Sequence, residues 1–449
     1  MHRETIYTGE CDMKITPMEK WIVDKIGFKE GNKKELEQYQ LNKIKEVIAY
    51  SKKYSRFYKE HLKCFNELDI NSFKDFESIP FTLPQHIKNN PLDFLCVSPK
   101  DIDRVVTLRT SGTSSEEKRI YFTEKDLQLT IDFFKHGMSS LVDRKDKVLV
   151  LLPGESYGSI GDLLQKALRE IDIECYVKGV SVKSKDAAKF IQDKNINCIV
   201  GIPIQLLQLS RMESKVFKNN IEKILLSTDY VPKTLIKEII EKFNCKVFTH
   251  YGMTEMGYGG GVECEALNGY HMRDIDLYFE IIDPVTGKTV ENGQYGEIVF
   301  TSLTREGMPL IRYRTGDIAA FSSQPCPCGT FLKTMSLVLG RIDNRIKIDE
   351  DKFIYMRDLD EIILSFKTII DYKVYIEEGN IIFIDLITLN ERDFHKVSKE
   401  MMSYIKEIPV IKEALVENII EIALIHSLEP STIKNSMTKR KIYDYRKRG

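Results

Sequence analysis

Cys264, His271, Cys326 and Cys328 read as C-x6-H, then 54 residues, then C-x-C. Three thiolates and one imidazole make a complete tetrahedral donor set for structural Zn2+. Paired thiols or a redox pair are the alternatives for the same residues. Cys326-Pro327-Cys328-Gly329 is a knuckle-type turn that bends the backbone so that both sulfurs face one point. A metal there would use all four positions, leave none for catalysis, and fasten the 264–271 loop to the 326–328 loop.

Four further segments mix hydroxyls, glycines and charges. Thr110-Ser111-Gly112-Thr113-Ser114-Ser115-Glu116-Glu117-Lys118 can wrap backbone N–H groups and hydroxyls around a phosphate, with a lysine close behind. It lacks the GxxxxGK[ST] spacing of a Walker loop. His250-Tyr251-Gly252-Met253-Thr254-Glu255 offers a hydroxyl and a carboxylate that can hold Mg2+ beside a nucleotide, and an aromatic ring to flank a base. Tyr313-Arg314-Thr315-Gly316-Asp317 places an Asp in a glycine turn, able to accept two hydrogen bonds from a ribose diol. Gly340-Arg341-Ile342-Asp343-Asn344-Arg345-Ile346-Lys347-Ile348 runs from a glycine through charges into an alternating strand, as a domain hinge can. Alone, each segment reads as an ordinary turn or hairpin entry.

The elements that must carry these residues follow from hydrophobic periodicity. Residues 39–62 read as one amphipathic helix, with Leu41, Ile44, Val47, Ile48, Tyr54, Tyr58 and Leu62 at helical spacing. From about 147, short apolar runs alternate with helical stretches. Strands are expected at Lys147–Leu152, Ile173–Val177, Asn197–Val200, Lys223–Leu226 and Lys246–Thr249, and helices at Gly161–Glu170, Ala187–Asp193 and Lys233–Phe243. Such alternation implies an α/β fold with a largely parallel, helix-covered sheet, whose ligands bind at the carboxyl ends of strands. Beyond about 340 the pattern becomes a small α+β unit. Its expected elements are a helix at Arg357–Ser365, a hairpin of Tyr372–Ile376 and Ile381–Ile387 about Gly379-Asn380, a helix at Phe394–Ile405 and a strand at Ile419–Ile425.

Composition sets the class. The 449 residues are 42% apolar and 30% charged, the balance of a globular protein with ample length for a core. Lys and Arg total 66 against 67 Asp and Glu, for a net charge of −1, which argues against nucleic acid or an anionic membrane as partner. No run approaches the roughly 20 apolar residues of a membrane span, and Met1–Cys11 is not a signal peptide. Met13 begins a more amphipathic segment and is an alternative start. The other cysteines (11, 64, 96, 175, 198 and 245) are mostly isolated, which suits a reducing compartment and a cytoplasmic location.

In this order, the four hydroxyl- and glycine-bearing segments resemble the signatures of the adenylate-forming superfamily of acyl-CoA synthetases, adenylation domains and luciferases. Glu297-Ile298-Val299-Phe300-Thr301, the run Met308-Pro309-Leu310-Ile311-Arg312-Tyr313-Arg314-Thr315-Gly316-Asp317, and the opening from Thr16-Pro17-Met18-Glu19-Lys20-Trp21 are similar to the phenylacetate–CoA ligase branch. The resemblance covers nearly the whole chain. It implies a large N-terminal domain, residues 1–340, with helix-covered, mostly parallel sheets. A small mobile α+β domain, 341–449, would turn about a hinge at Asp343. It also implies ATP-dependent activation of a carboxylic acid, aryl or arylalkyl, as an acyl-adenylate, then transfer to the thiol of coenzyme A. A carrier protein or other nucleophile as acceptor, and a non-catalytic nucleotide-binding relative, are the alternatives. Relatives are commonly dimers.

By motif, the resemblance places Ser111, Gly112, Thr113 and Lys118 at the β- and γ-phosphates, Thr254 at the α-phosphate and Glu255 on Mg2+. Tyr251 and Gly252 would line the adenine slot, with Ser227 and Asp229 as weaker candidates. Asp317 would take the ribose, and Arg341 the ribose or phosphate. Some members of the branch bind zinc through a similar Cys/His/Cys-x-Cys set. Phe122, Tyr157, Gly158 and Tyr258 are candidates for an aromatic pocket.

Two departures stand out. Glu116 and Glu117 occupy the phosphate loop where the family has glycine and often proline. The family's last catalytic lysine follows a glycine, whereas here the tail reads Ser436-Met437-Thr438-Lys439-Arg440-Lys441. Lys439 is the candidate for that lysine. Counting back from Asp444 points to Thr438, so Lys441, or loss of the lysine, stays open.

Overall fold

Runs such as Val148-Leu149-Val150 suit a strand covered on both faces, because no polar residue interrupts them. The computed structural model describes residues 15–28, 31–109, 117–342, 344–349, 352–427 and 440–446. In it these three residues are fully buried. The chain forms two compact units: Met1–Lys145, Gly154–Ile173 and Phe248–Val338 make one, and Asp146–Pro153, Glu174–Val247 and Leu339–Gly449 the other. Residue 343, the expected hinge, lies outside the described residues.

The second unit holds the parallel strands, in the order Glu174–Val177, Lys147–Val150, Cys198–Gly201, Lys223–Leu226. Helices Ser184–Lys194, Pro203–Met212 and Lys233–Phe243 accompany them. Lys223–Leu226 and Lys233–Phe243 fall where periodicity places them. The same unit carries a second sheet. Ile369–Glu377 and Ile381–Thr388 form the expected antiparallel hairpin, and Glu421–His426 and Ile442–Asp444 flank it in parallel. One apolar core joins the two halves of this unit, from Leu149 and Ile199 to Val374 and Ile384. Arg211 adds a polar tie across it. Its guanidinium, paired with buried Glu238, donates to the carbonyls of Leu364, Phe366 and Ile369.

The first unit is built from antiparallel strands and helices. A hairpin pairs Arg104–Arg109 with Glu117–Phe122. Leu277–Ile282, Gly296–Ser302 and Tyr313–Ala319 form an antiparallel ribbon. The end of strand Lys246–Tyr251 pairs with Gly261–Glu263, which pairs with Tyr270–Met272. Helices Glu124–Met138 and Ile160–Arg169 pack on each other.

Two expectations change. The helix expected over 39–62 is two helices, Lys33–Tyr54 and Arg56–His61, broken at Ser55. Ser55 is extended, its Oγ accepts from Tyr58 N at 3.3 Å, and it donates to the Asp93 carbonyl at 2.8 Å. A side chain that caps one helix and ties it to a loop ends the preceding helix. The Tyr313–Asp317 segment is not a glycine turn but a strand, Tyr313–Ala319, with a register shift opposite Glu297 and Val299. Gly316 absorbs the irregularity at φ +76°, a conformation costly for residues with a Cβ. No helix among the described residues is long and apolar enough to cross a membrane.

The cap at Ser55 is testable. Ser55→Ala should lower stability by about 1–2 kcal/mol, because a buried cap is lost and the Asp93 carbonyl loses its donor. An unchanged urea midpoint would show that the break in the helix is set elsewhere.

Candidate functional site

Strand Lys246–Tyr251 delivers the chain to Gly252, and a single 3-10 turn, Thr254–Met256, follows. Gly252 is required by space, since a Cβ there would lie 2.0 Å from the Tyr258 carbonyl oxygen. Gly257 (φ +78°) and Tyr258 (φ +64°) turn the chain back. Gly259 and Gly260 then let it pass against Phe133 and Met256, which a Cβ would meet at 2.3 and 2.5 Å. The turn is therefore held by close backbone packing and presents Thr254 and Glu255 in a fixed direction.

Glu255 is buried, and Lys118, on the strand Glu117–Phe122, forms an ion pair with its Oε1. Tyr313 Oη donates to the same oxygen at 3.2 Å and accepts from Lys118 Nζ at 3.1 Å. Four residues along its strand, Asp317 accepts from the Tyr251 hydroxyl at 3.1 Å. Tyr313, Thr315 and Asp317 alternate to one buried face. Strand Tyr313–Ala319 thus engages the strand-end turn twice, through Tyr313 to Glu255 and through Asp317 to Tyr251. Arg305, buried, spans the Glu255 and Tyr121 carbonyls at 2.7 Å each and lies over the Phe122 ring. Burial holds its guanidinium below the ordinary arginine range, opposed by Asp126.

Of the expected aromatic residues, Phe122 and Tyr258 stack with centroids 5.5 Å apart. Burial raises the Tyr258 hydroxyl, against the nearby Arg104 guanidinium. Tyr157 is exposed instead, beneath Lys166. Gly158 lies beside Leu127 and Arg104.

Ser227, Asp229 and Arg341 belong to the second unit. Ser227 is buried behind the strand Lys223–Leu226, and its N–H donates to the Gly201 carbonyl at 3.0 Å. Asp229 accepts from Tyr230 N at 2.8 Å and Arg440 N at 2.9 Å. Asp229, Arg341, Tyr355, Asp360 and Arg440 line one small cleft. Burial pushes Asp360 up to about 6, although the Arg440 guanidinium opposes it. Ser111, Gly112, Thr113 and Lys439 lie outside the described residues.

Cys264, His271, Cys326 and Cys328 come together, their donor atoms all within 4.8 Å of one another. Cys264 Sγ to Cys326 Sγ is 3.7 Å, and Cys328 Sγ to His271 Nε2 is 3.6 Å. Metal–sulfur bonds of about 2.3 Å give a tetrahedron with S–S edges of about 3.8 Å, so these donors fit such an ion. The strands Gly261–Glu263 and Tyr270–Met272 place Cys264 and His271 on one hairpin. Thr334 pairs with His271 and brings the 326–328 knuckle alongside. No disulfide forms among the described residues.

Tyr313 and Arg305 went unassigned in the sequence. Tyr313 had a usable signal: it stands four residues before Asp317 in an alternating run, and so shares its face. Arg305 had none, because its partners are backbone carbonyls.

The buried ion pair makes a double-mutant prediction. Lys118→Met should destabilise the fold by about 3–5 kcal/mol, since it leaves the Glu255 carboxylate uncompensated. Adding Glu255→Gln should restore much of that loss, as read by urea unfolding. Strictly additive effects would show that the pair is not coupled.

The family model described as AMP-binding enzyme matches residues 40–304, more than half of the chain. The phenylacetate-coenzyme A ligase of Thermus thermophilus is 24% identical over 383 residues, covering 83% of this chain and 85% of that protein. The phenylacetate-coenzyme A ligase of Pseudomonas putida is 25% identical over 362 residues, covering 77% and 80%. Among solved structures, a 2-hydroxyisobutyryl-CoA ligase in complex with 2-HIB-AMP aligns with a TM-score of 0.74 at 19% identity, over 92% of this chain and 90% of that one. An anthranilate CoA ligase aligns with a TM-score of 0.53 at 14% identity, over 74% and 65%. The matched span contains the strand-end turn and its buried lysine partner, and on the strength of that match the chain belongs to the AMP-binding enzymes.

Proposed function

We propose that this chain activates a carboxylic acid with ATP as an acyl-adenylate and then transfers the acyl group to the thiol of coenzyme A. The observation that carries the proposal is the double engagement of one strand with the turn: Tyr313 at Glu255 and Asp317 at Tyr251. One strand so supports both the carboxylate expected to hold a cation and the carboxylate expected to take the ribose.

In the first step a carboxylate oxygen attacks the α-phosphorus and pyrophosphate leaves. In the second a thiolate attacks the acyl carbonyl and AMP leaves. Catalysis of phosphoryl transfer is mainly positioning and charge neutralisation. Thr254 would contact the α-phosphate, and Asp317, Tyr251 and Gly252 would orient the ribose and adenine. The family resemblance also assigns Ser227, Asp229 and Arg341 to the nucleotide. Magnesium held by Glu255 would supply charge neutralisation on the triphosphate. Lys118 and Tyr313 both use Oε1 of Glu255, which fixes the orientation of that carboxylate. The division at 340, with rotation about Asp343, supplies the change of partner between the steps.

The stacked Phe122–Tyr258 pair and the names of the relatives favour an aryl or arylalkyl acid, with coenzyme A as acceptor. The converged thiolates and imidazole favour structural Zn2+. The isolated thiols favour the cytoplasm.

Pyrophosphate exchange across a panel of acids, with and without coenzyme A, tests the reading. Exchange with an aryl or arylalkyl acid, and a thioester when coenzyme A is added, are expected. Exchange with no acid overturns it, and exchange without thioester moves the acceptor to a carrier protein. Lys439→Ala should slow adenylation on the order of 10²-fold, and full retention would remove that assignment.

Metal analysis should find one zinc per chain, lost in Cys328→Ser with a drop in Tm. Absence of stoichiometric zinc rejects the metal.

A further inference from the structure

Residues 227–230 follow the carboxyl end of the parallel strand Lys223–Leu226, where sheets of this kind take their ligands. Thr228 has φ +77°, a left-handed backbone that a β-branched residue keeps only when its surroundings enforce it. The segment is pinned on both sides of that residue. On one side the Ser227 N–H donates to the Gly201 carbonyl at 3.0 Å. On the other, the Tyr230 N–H donates to Asp229 Oδ1 at 2.8 Å, and the Tyr230 hydroxyl donates to Glu361 Oε1 at 2.6 Å. Glu361 stands on the helix Met356–Ile363, within the same compact unit. The N–H groups of Lys233 and Thr234 also donate to it, to Oε1 at 2.8 Å and to Oε2 at 3.1 Å. They open the helix Lys233–Phe243, whose N-cap is Pro232 and whose first turn holds no acidic residue. A carboxylate from a distant part of the chain thus supplies both the cap and the negative charge that a helix N-terminus takes. Burial raises the Tyr230 hydroxyl and Glu361 adds to the rise, so Tyr230 stays a donor.

We infer that Glu361 is a positioning residue: its carboxylate fixes Tyr230 and the start of the helix Lys233–Phe243, and so holds residues 227–229 in the strained shape that meets the nucleotide. The inference rests on the functional reading above in that it takes Ser227 and Asp229 to contact the nucleotide. Glutamine cannot stand in for Glu361, because one of its two head atoms is a donor and would face another donor. Glycine at 228 would lessen the need for Glu361, since it holds a positive φ without strain.

α,β-Methylene-ATP with Mg2+ is the probe, because the bridge between its α- and β-phosphorus atoms cannot be cleaved. In calorimetry on the full chain, Glu361→Gln should bind it about fivefold or more weakly than the wild type, and Tyr230→Phe more weakly by a smaller factor. In pyrophosphate exchange, Glu361→Gln should raise the KM for ATP by the same factor and leave kcat and the KM for the acid within about twofold. Thr228→Gly added to Glu361→Gln should restore most of the affinity, a rescue that loss of a helix cap alone would not allow. Equal binding by the wild type and Glu361→Gln overturns the inference, as does a fall in kcat with the KM for ATP unmoved, or a defect that Thr228→Gly leaves in place. Tyr230→Phe keeps the helix cap and decides the matter where Glu361→Gln does not fold: unchanged affinity overturns the inference. A wild type that binds the probe but exchanges pyrophosphate with no acid overturns the catalytic reading alone, and one that does not bind the probe overturns both.

Discussion

A buried lysine paired with a buried glutamate is a constraint that three elements of the first unit must satisfy together. Neither charge is tolerable alone away from water, and the attraction offsets desolvation only when geometry is good and remaining donors are used. Lys118 comes from a hairpin, Glu255 from a strand-end turn, and Tyr313 from a third element, and all three meet at one carboxylate oxygen. A one-residue slip in any of these strands would send the side chain to the opposite face. The register of the hairpin, the glycines of the turn and the strand at 313 are therefore not independent. Gly252, Gly259 and Gly260 are what allow the turn close enough for Glu255 to reach the pair.

The same logic appears where chain without regular structure must be fixed. Arg312 is fully buried with a left-handed backbone (φ +46°), unfavourable for a side chain of its size. It is held from every side: its guanidinium by Glu280 at 2.8 and 3.1 Å and by the Ile79 carbonyl at 2.6 Å, its N–H by Thr301. Burial raises the Glu280 carboxyl, and Arg312 opposes that rise. This cluster ties residues 77–82 to the strand that carries Tyr313 and Asp317. The Cys/His cluster plays a corresponding part elsewhere in the unit, where Gly269 passes so near Met335 that a Cβ would sit 2.4 Å from its carbonyl oxygen.

Much of this was legible in the sequence, and the pattern of what was not is instructive. Parallel strands with continuous apolar runs, such as Lys223–Leu226, announce themselves because burial on both faces leaves a simple signature. The C-x6-H and C-x-C spacing singled out four side chains that converge in the structure. The break at Ser55 was hidden, since a serine at an unremarkable helical position becomes a cap only when Asp93 supplies a tertiary acceptor. The strand through Gly316 read as a turn for a similar reason: glycine marks a positive φ without saying whether a turn or a bulge needs it. The Lys118–Glu255 pair, 137 residues apart, had no local signal in either segment.

The tail shows how one arginine organises a segment whose motif is degenerate. The family glycine before the last lysine is missing, so backbone freedom does not place that lysine here. Arg440 stands between Lys439 and Lys441, and each of its groups is taken. Its N–H donates to Asp229, its carbonyl accepts from Asn344 at 2.6 Å, and its guanidinium meets Asp360 and the Tyr372 carbonyl beneath a cation–π contact with Tyr372. Asp229 lies in the strand-end loop and Asn344 is the neighbour of the expected hinge residue. Arg440 thus ties the tail to Asp229 and Asn344 through its backbone and to Asp360 through its side chain. The chain at 440 is held without a glycine, by two backbone hydrogen bonds to side chains and by a guanidinium pair.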